Sequence, residues 1–387
     1  MMPQPLADIR VADFSHVMAG PYASHLLRLL GAEVIKIEAP GRGDAMRYYG
    51  DNRDYDGMSP AFIAVNAGKK SIVLDLKDAN DLEIAKAIVA KSDVMLENFR
   101  PGVIARLGLG YEVVKALKPS IVYCSISGYG QSGQLRDWPA IDNIVQATSG
   151  MMSLGGEPGD PPMRVGFPLV DTLTGHTAAF AILAALFRRQ RTGCGDYIDT
   201  AMLDASLAFM ASAVVPHLVT GKTLERTGNT GFSGQPTASL FTAGDGRQIS
   251  LGVVQQSQFV ELARHLGRDD WLSDPRFGDP EQRRAHRREM HAELAAVLAT
   301  KKAAEWEAQM SAAGIPCGMV REVGEAVELP QLDDRDVLLP LHIPGLPNPR
   351  AAIVNAGFRM QDDGPWVAEP PPRLDEHRSE ILSWLQT

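Results

Sequence analysis

The sequence predicts an α/β protein: a doubly wound parallel-sheet domain followed by a smaller α+β domain. Three observations carry that expectation. Short apolar strand segments alternate with helical segments along the first third of the chain, a rhythm that implies parallel pairing. The length of 387 residues exceeds one ordinary core, so two domains are expected. After Gly221 the composition shifts to glycine and small polar residues, which marks a boundary. The expected divisions are a large domain over 1–220, a small domain over 221–328, and a C-terminal segment over 329–387.

The elements follow in order. Residues 10–14 read as a strand, 15–21 as a turn, and 22–30 as a helix closed by Gly31. Pro21 suits a first helical turn, where its missing N–H costs nothing, and glycine suits the C-terminal cap. A strand over 33–38 follows at once. Further strands are expected at 71–75, 93–97 and 121–126, with helices over 79–91, 101–107 and 111–117. Together these segments describe a Rossmann-like sheet, whose ligands sit beyond the carboxyl ends of the strands. The turns after Phe14, Glu38, Glu97 and Ile126 are therefore the candidate binding loops. No Gly-x-Gly-x-x-Gly follows the first strand and no Gly-Lys-Ser/Thr loop is present, which disfavours nicotinamide, flavin and nucleoside triphosphate chemistry.

Beyond these, 191–195 is a turn, 196–200 a strand and 202–218 a helix. Residues 239–242 and 248–252 form a hairpin around 243–247, and helices follow at 256–266, 282–298 and 303–313. Arg283, Arg284, His286, Arg287, Arg288 and His291 read as a solvated helix face alternating with glutamates. From Pro330 the chain is proline-rich with strand-like pieces.

Hydrophobic content of 45%, charged content of 22% and a net charge of −9 describe a globular protein without general affinity for nucleic acid. Cys124, Cys194 and Cys317 have no metal-ligand spacing and read as reduced thiols of a cytoplasmic protein. The first ten residues lack a secretion pattern, and the apolar run 178–187 is too short to span a bilayer. A soluble protein with no metal and no membrane partner is expected.

Chemistry concentrates at Asp171, a lone carboxylate between apolar segments just before a long helix. Helix starts favour Asp, because it accepts hydrogen bonds from free N–H groups and complements the dipole. The same setting keeps a carboxylate ionised yet shielded from water, as a carboxylate nucleophile requires. Cap and nucleophile are both open readings of this residue. Asp142, following Pro139-Ala140-Ile141, reads from its own neighbours as a helix-start cap.

Several segments resemble one known family. They are Asp13-Phe14-Ser15-His16-Val17-Met18-Ala19-Gly20-Pro21, residues 30–38, Glu97-Asn98-Phe99-Arg100-Pro101-Gly102 with the strand before it, Gly128-Tyr129-Gly130, residues 146–150, Asp171, and residues 228–236. In order and spacing they resemble the class III CoA-transferases, the formyl-CoA and carnitine CoA-transferase group. The resemblance implies an acyl-CoA:carboxylate CoA-transferase in which Asp171 is the nucleophile. Its carboxylate forms a mixed anhydride and then an aspartyl-CoA thioester, with small dicarboxylic acids as substrates. CoA esters are then substrates, and no cofactor is bound permanently.

The resemblance also places His16, Val17, Met18 and Ala19 against CoA and the reacting centre, and Leu74, Asn98, Phe99 and Arg106 around its nucleotide part. Arg106 otherwise reads as a solvated helix residue. Ala39 stands where some members keep an arginine, which leaves Lys36 or Arg42 for a phosphate. Asp142 falls near the reacting acyl group. Gly231 and Gly234 belong to a loop whose bare N–H groups would bind an oxyanion, interrupted here by Phe232 and Ser233; the plain alternative is a linker. The resemblance further implies a tail returning to the first domain and an interlocked homodimer. A racemase or epimerase of the same superfamily, which carries a proton-transferring His where Ile141 stands, and a non-catalytic acyl-CoA binding protein are the alternatives.

Overall fold

Six parallel strands, β1 (Arg10–Asp13), β2 (Glu33–Glu38), β3 (Lys70–Val73), β4 (Val94–Glu97), β5 (Val122–Ser127) and β6 (Asp196–Ala201), form one sheet in the order β3-β2-β1-β4-β5-β6. The computed structural model describes residues 4–50, 55–231, 233–346 and 351–387, so the expected interruption at Phe232 lies outside the described residues. Strands β2, β4 and β5 are buried almost throughout, as in a sheet covered on both faces by helices, whereas the edge strand β6 is partly exposed. Strand order reverses between β1 and β4. A crevice therefore opens beyond their carboxyl ends, where loops depart in opposite directions.

The helices of this part are α1 (Ala19–Leu29), α2 (Pro60–Asn66), α3 (Ala79–Ala90), α4 (Val103–Arg106), α5 (Tyr111–Leu117), α6 (Asp142–Thr148), α7 (Leu169–Thr192), α8 (Met202–Phe209) and α9 (Ala211–Thr220). Alternation and boundaries largely follow the sequence expectation; helix α2 was not expected, and three further differences have identifiable causes. First, α1 starts at Ala19, before Tyr22, because Pro21 needs no N–H partner and Tyr22 N already bonds Met18 O at 2.8 Å. Second, the expected helix 202–218 is two helices bent by 77°. The second contains Pro216, which cannot donate to the carbonyl one turn back. Third, the apolar run 178–187 sits inside a 24-residue helix that is long and apolar enough to cross a membrane by length and composition. Half of that stretch, including Ala178, Ile182 and Leu186, is buried in the protein, as in a core helix.

Helix α7 packs on α1 closely enough to demand a glycine. A Cβ at Gly175 would lie 2.7 Å from Ala19 O and 2.9 Å from the Tyr22 ring. Gly175 is four residues after Asp171, on the same helical face, so this contact also sets Asp171 beside the loop preceding α1.

The chain divides into two units. Met1–Met152, Arg164–Lys222 and Pro330–Thr387 form the larger, and Ser153–Met163 with Thr223–Leu329 the smaller. In the larger, the C-terminal segment runs back along the sheet edge: Arg47 donates to Pro372 O and Lys91 Nζ to Trp384 O, both at 3.1 Å. In the smaller, antiparallel strands β7 (Ala238–Thr242), β8 (Gln248–Gly252) and β9 (Cys317–Met319) cover a core containing Phe241, Phe259, Trp271 and Trp306. The expected helix 282–298 breaks at His286 into Pro280–Ala285 and Arg287–Leu298. The basic cluster there is not wholly a solvated face. Arg283 is buried, donates to Phe277 O and Gln256 Oε1 at 2.6 Å, and stacks 3.7 Å above the Phe259 ring. His291 stacks on Phe241 at 4.5 Å.

Candidate active site

Under the crevice lies a buried set of charges that shapes the loop after β1. Asp13 accepts from Lys69 Nζ at 3.2 Å, from Ser24 Oγ at 2.6 Å and from the Ser15 hydroxyl. Burial alone would raise its carboxyl; Lys69, Lys36 and the two serines outweigh that and hold it below the usual range. Lys36 pairs with Asp44 at 2.9 Å and donates to Ser15 O at 2.8 Å, all of it buried. Asp44 in turn accepts from Val17 N at 3.0 Å.

That last bond holds an unusual backbone. Val17 has φ of 65°, a region that a β-branched residue avoids at a cost of about 1–3 kcal/mol. Asn98, just past β4, clamps the neighbouring residue by accepting from His16 N at 2.9 Å and donating to His16 O at 2.8 Å. Two side chains from the connections after β2 and β4 thus dictate the path of residues 15–18.

The loop lines a cavity of about 460 Å³ at the switch point. His16, Val17, Met18 and Ala19 form one side, Asn98 to Pro101 and Ile126 to Gly128 another, and Asp142, Arg164, Gly166 to Pro168 and Asp171 complete it. All four expected connections contribute, the one after Glu38 through Tyr49. The His16 ring lies 5.2 Å from the Phe99 ring, and burial keeps its imidazole below its ordinary pKa.

Asp171 occupies the first turn of α7, whose N-cap is Pro168, so the plain N-cap reading does not hold. Among the described residues its carboxylate accepts no hydrogen bond. Burial, and then the neighbouring Asp142, push its carboxyl up to about 7, whereas the sequence reading had it ionised. Asp142 does not cap its own helix either, because the N-cap of α6 is Ile141. Instead its Oδ2 accepts from Asp171 N at 3.0 Å, satisfying a free N–H at the start of α7. Its Oδ1 accepts from Gln146 Nε2 at 2.6 Å, and Gln146 Oε1 accepts from Val165 N at 2.9 Å. Buried Gln146 therefore ties α6 to the segment that leads into Asp171.

Other expected positions fall elsewhere. Leu74 is buried in the core beside β3 and does not line the cavity. Arg106 is exposed on α4, outside the lining. Asn98 does line the cavity, with its side-chain amide holding the backbone of His16. Lys36 is sealed in its ion pair, and exposed Arg42 stacks 4.2 Å over the Tyr48 ring; neither lines the cavity. Gly231 and Gly234 lie in the smaller unit, where Gly231 N bonds Ala238 O and Gly234 N bonds Gly231 O, both at 2.9 Å. Those two N–H groups are not bare. The sequence reading missed Arg100, Arg136, Arg164 and Gln146. For Arg100 the hint was its place directly after a strand end, and for Arg164 its closeness to Asp171.

The chain matches CoA-transferase family III over residues 6–378. It is 39% identical to the acetyl-CoA:oxalate CoA-transferase of Acetobacter aceti, covering 97% of this chain and 95% of that protein. The succinate–glutarate CoA-transferase of Agrobacterium fabrum is 34% identical, covering 99% and 96%. A crystal structure of a CaiB/BaiF family protein from Brucella suis superposes with a TM-score of 0.88 at 30% identity, covering 99% and 100%. Fold and sequence are thus matched along nearly the whole chain, and the protein belongs to CoA-transferase family III, whose enzymes transfer CoA.

Proposed function

We propose that this enzyme moves CoA between small dicarboxylic acids through covalent intermediates on Asp171. One observation carries the proposal: a shielded carboxylate that accepts no hydrogen bond among the described residues opens onto the switch-point cavity. Oxalate, succinate and glutarate in the relatives' names are all dicarboxylic, which supports that substrate class.

The steps balance as follows. An ionised Asp171 oxygen attacks the thioester carbon, the C–S bond breaks, and CoA leaves as thiolate with a mixed anhydride behind it. The thiolate attacks the aspartyl carbonyl, the donor acid leaves as carboxylate, and an aspartyl-CoA thioester remains. The acceptor carboxylate attacks that carbonyl and expels the thiolate, giving the second anhydride. The thiolate then attacks the acceptor's carbonyl and returns Asp171 as carboxylate. Each step exchanges one activated acyl bond for another. The raised pKa makes Asp171 a stronger nucleophile once ionised, and the α7 dipole and Asp142 stabilise opposite charge states of it. Ile141, which lines the cavity beside Asp142, cannot exchange a proton, and this favours transfer over racemisation.

Trapping tests the mechanism. After incubation with succinyl-CoA, hydroxylamine should leave a hydroxamate on the peptide containing Asp171, and none in protein treated without acyl-CoA. Turnover without that adduct would overturn the proposal.

We also propose a cytoplasmic homodimer, interlocked as the resemblance implies. Helix α9 is apolar yet buries none of its residues within its own chain, leaving Leu218 and Val219 74% and 77% exposed. Light scattering should give about twice the 41.9 kDa chain mass; a monomer mass would reject the dimer.

A further inference from the structure

We infer that Arg164 reads the second, unreacting carboxylate of a dicarboxylic acyl group and so sets the preference for dicarboxylic over monocarboxylic acids. This inference rests on the transferase reading above and names a residue for its substrate class.

Three arginines line the cavity, and they fall into two groups. Arg136 lies near the turn after β4: a Cβ built on Gly102 would stand 3.7 Å from its Nη2 and 3.2 Å from Nη1 of Arg106. Arg100 is two residues from that glycine. Converging guanidinium groups of this kind suit a multiply charged phosphate ligand. Arg164 is elsewhere, on the segment that enters α7. The next residue, Val165, is fixed by Gln146; Gln146 fixes Asp142; and Asp142 fixes the backbone of Asp171. A short run of hydrogen bonds thus sets the Arg164 backbone relative to the reacting carboxylate.

The charge of Arg164 is uncommitted. Among the described residues it makes no hydrogen bond and no ion pair. The cavity lining also includes the apolar or uncharged Ile141, Gly166, Phe167, Pro168 and Met202. Asp142 and Asp171 already place negative charge there. A second carboxylate on the substrate meets that repulsion unless a cation accompanies it, and a guanidinium can bind it in a bidentate manner. A monocarboxylic acyl chain has no use for the same group.

The experiment uses acetyl-CoA as donor, so that only the acceptor carries a second carboxylate, and compares glutarate with pentanoate. In Arg164→Gln, kcat/KM for glutarate should fall by about 10–100-fold, the worth of one charge-assisted hydrogen-bonded contact. That for pentanoate and the KM for acetyl-CoA should stay within about twofold of the parent enzyme. Arg164→Lys should recover part of the glutarate activity. Equal losses for both acids, or no loss for either, would overturn the assignment. If the parent enzyme transfers CoA to no acid, the transferase reading fails on its own. Arg164 is then judged by calorimetry with glutaryl-CoA and pentanoyl-CoA: the parent's preference for glutaryl-CoA must collapse in Arg164→Gln, and an unchanged preference refutes it.

Discussion

Replacing Asp171 with alanine is expected to lower CoA transfer by about 10⁴-fold or more while leaving acyl-CoA binding within a few-fold of the parent, because a covalent pathway loses its nucleophile and the remainder of the cavity is untouched. Single-turnover assays alongside binding measurements separate the two effects; a variant retaining a tenth of the activity would rule out an aspartyl intermediate. The parent enzyme should show kcat/KM rising with pH and levelling above about 7, where the free enzyme's Asp171 ionises. Asp142→Asn removes the nearby charge that helps raise Asp171 and should move that limb to lower pH. A limb that stays near 7 would assign the whole shift to burial.

The same carboxyl bears on stability. Its pKa rises from 3.8 to about 7 on folding, so between those values the native state holds a proton that the unfolded chain releases. The contribution is most favourable below about pH 4 and declines as pH rises through 7. Asp171→Asn should therefore be the more stable protein at pH 8, by about 1–2 kcal/mol after allowance for partial solvent screening, and should lose that advantage at pH 4. Thermal denaturation at the two pH values measures the difference.

Asp44→Ala is expected to destabilise the enzyme by about 3–5 kcal/mol, the usual consequence of leaving a buried charge without its partner. Lys36 and Asp44 are both sealed from solvent, and the lysine has no route to water. The substitution also removes the acceptor for Val17 N, so the left-handed backbone at Val17 loses its restraint. A double variant, Lys36→Met with Asp44→Leu, separates these consequences. It should recover much of the stability, because neither charge is then buried alone. It should not recover activity, because nothing accepts from Val17 N. Urea midpoints and kcat/KM measured together decide the matter; full activity in the double variant would show that the bond to Val17 is dispensable.

Much of the architecture was legible in the sequence. The segments 33–38 and 111–117 could be bounded to the residue, because apolar periodicity and the flanking glycine and proline residues are local properties. Asp171 stood out for a similar reason, as a carboxylate isolated between apolar stretches. What lay beyond reach was long-range pairing: Lys36, a candidate for phosphate, is sealed against Asp44; Asp142, open as cap or functional acid, holds the start of another helix; and Leu74, which the resemblance set near a nucleotide, is packed in the core.

By itself, then, the sequence determined which stretches become strand and helix and that a single carboxylate opens the long apolar helix. Tertiary structure alone decided that β1 and β4 flank a crevice, that Lys36 is consumed by Asp44, and that Asp142 serves the helix of Asp171 in place of its own. Periodicity is written in residues one turn apart, and short-range sterics act on it directly. The partner of a buried charge is chosen by which strands lie side by side, a matter settled between residues far apart in the chain, when burial makes an unpaired charge too costly to keep.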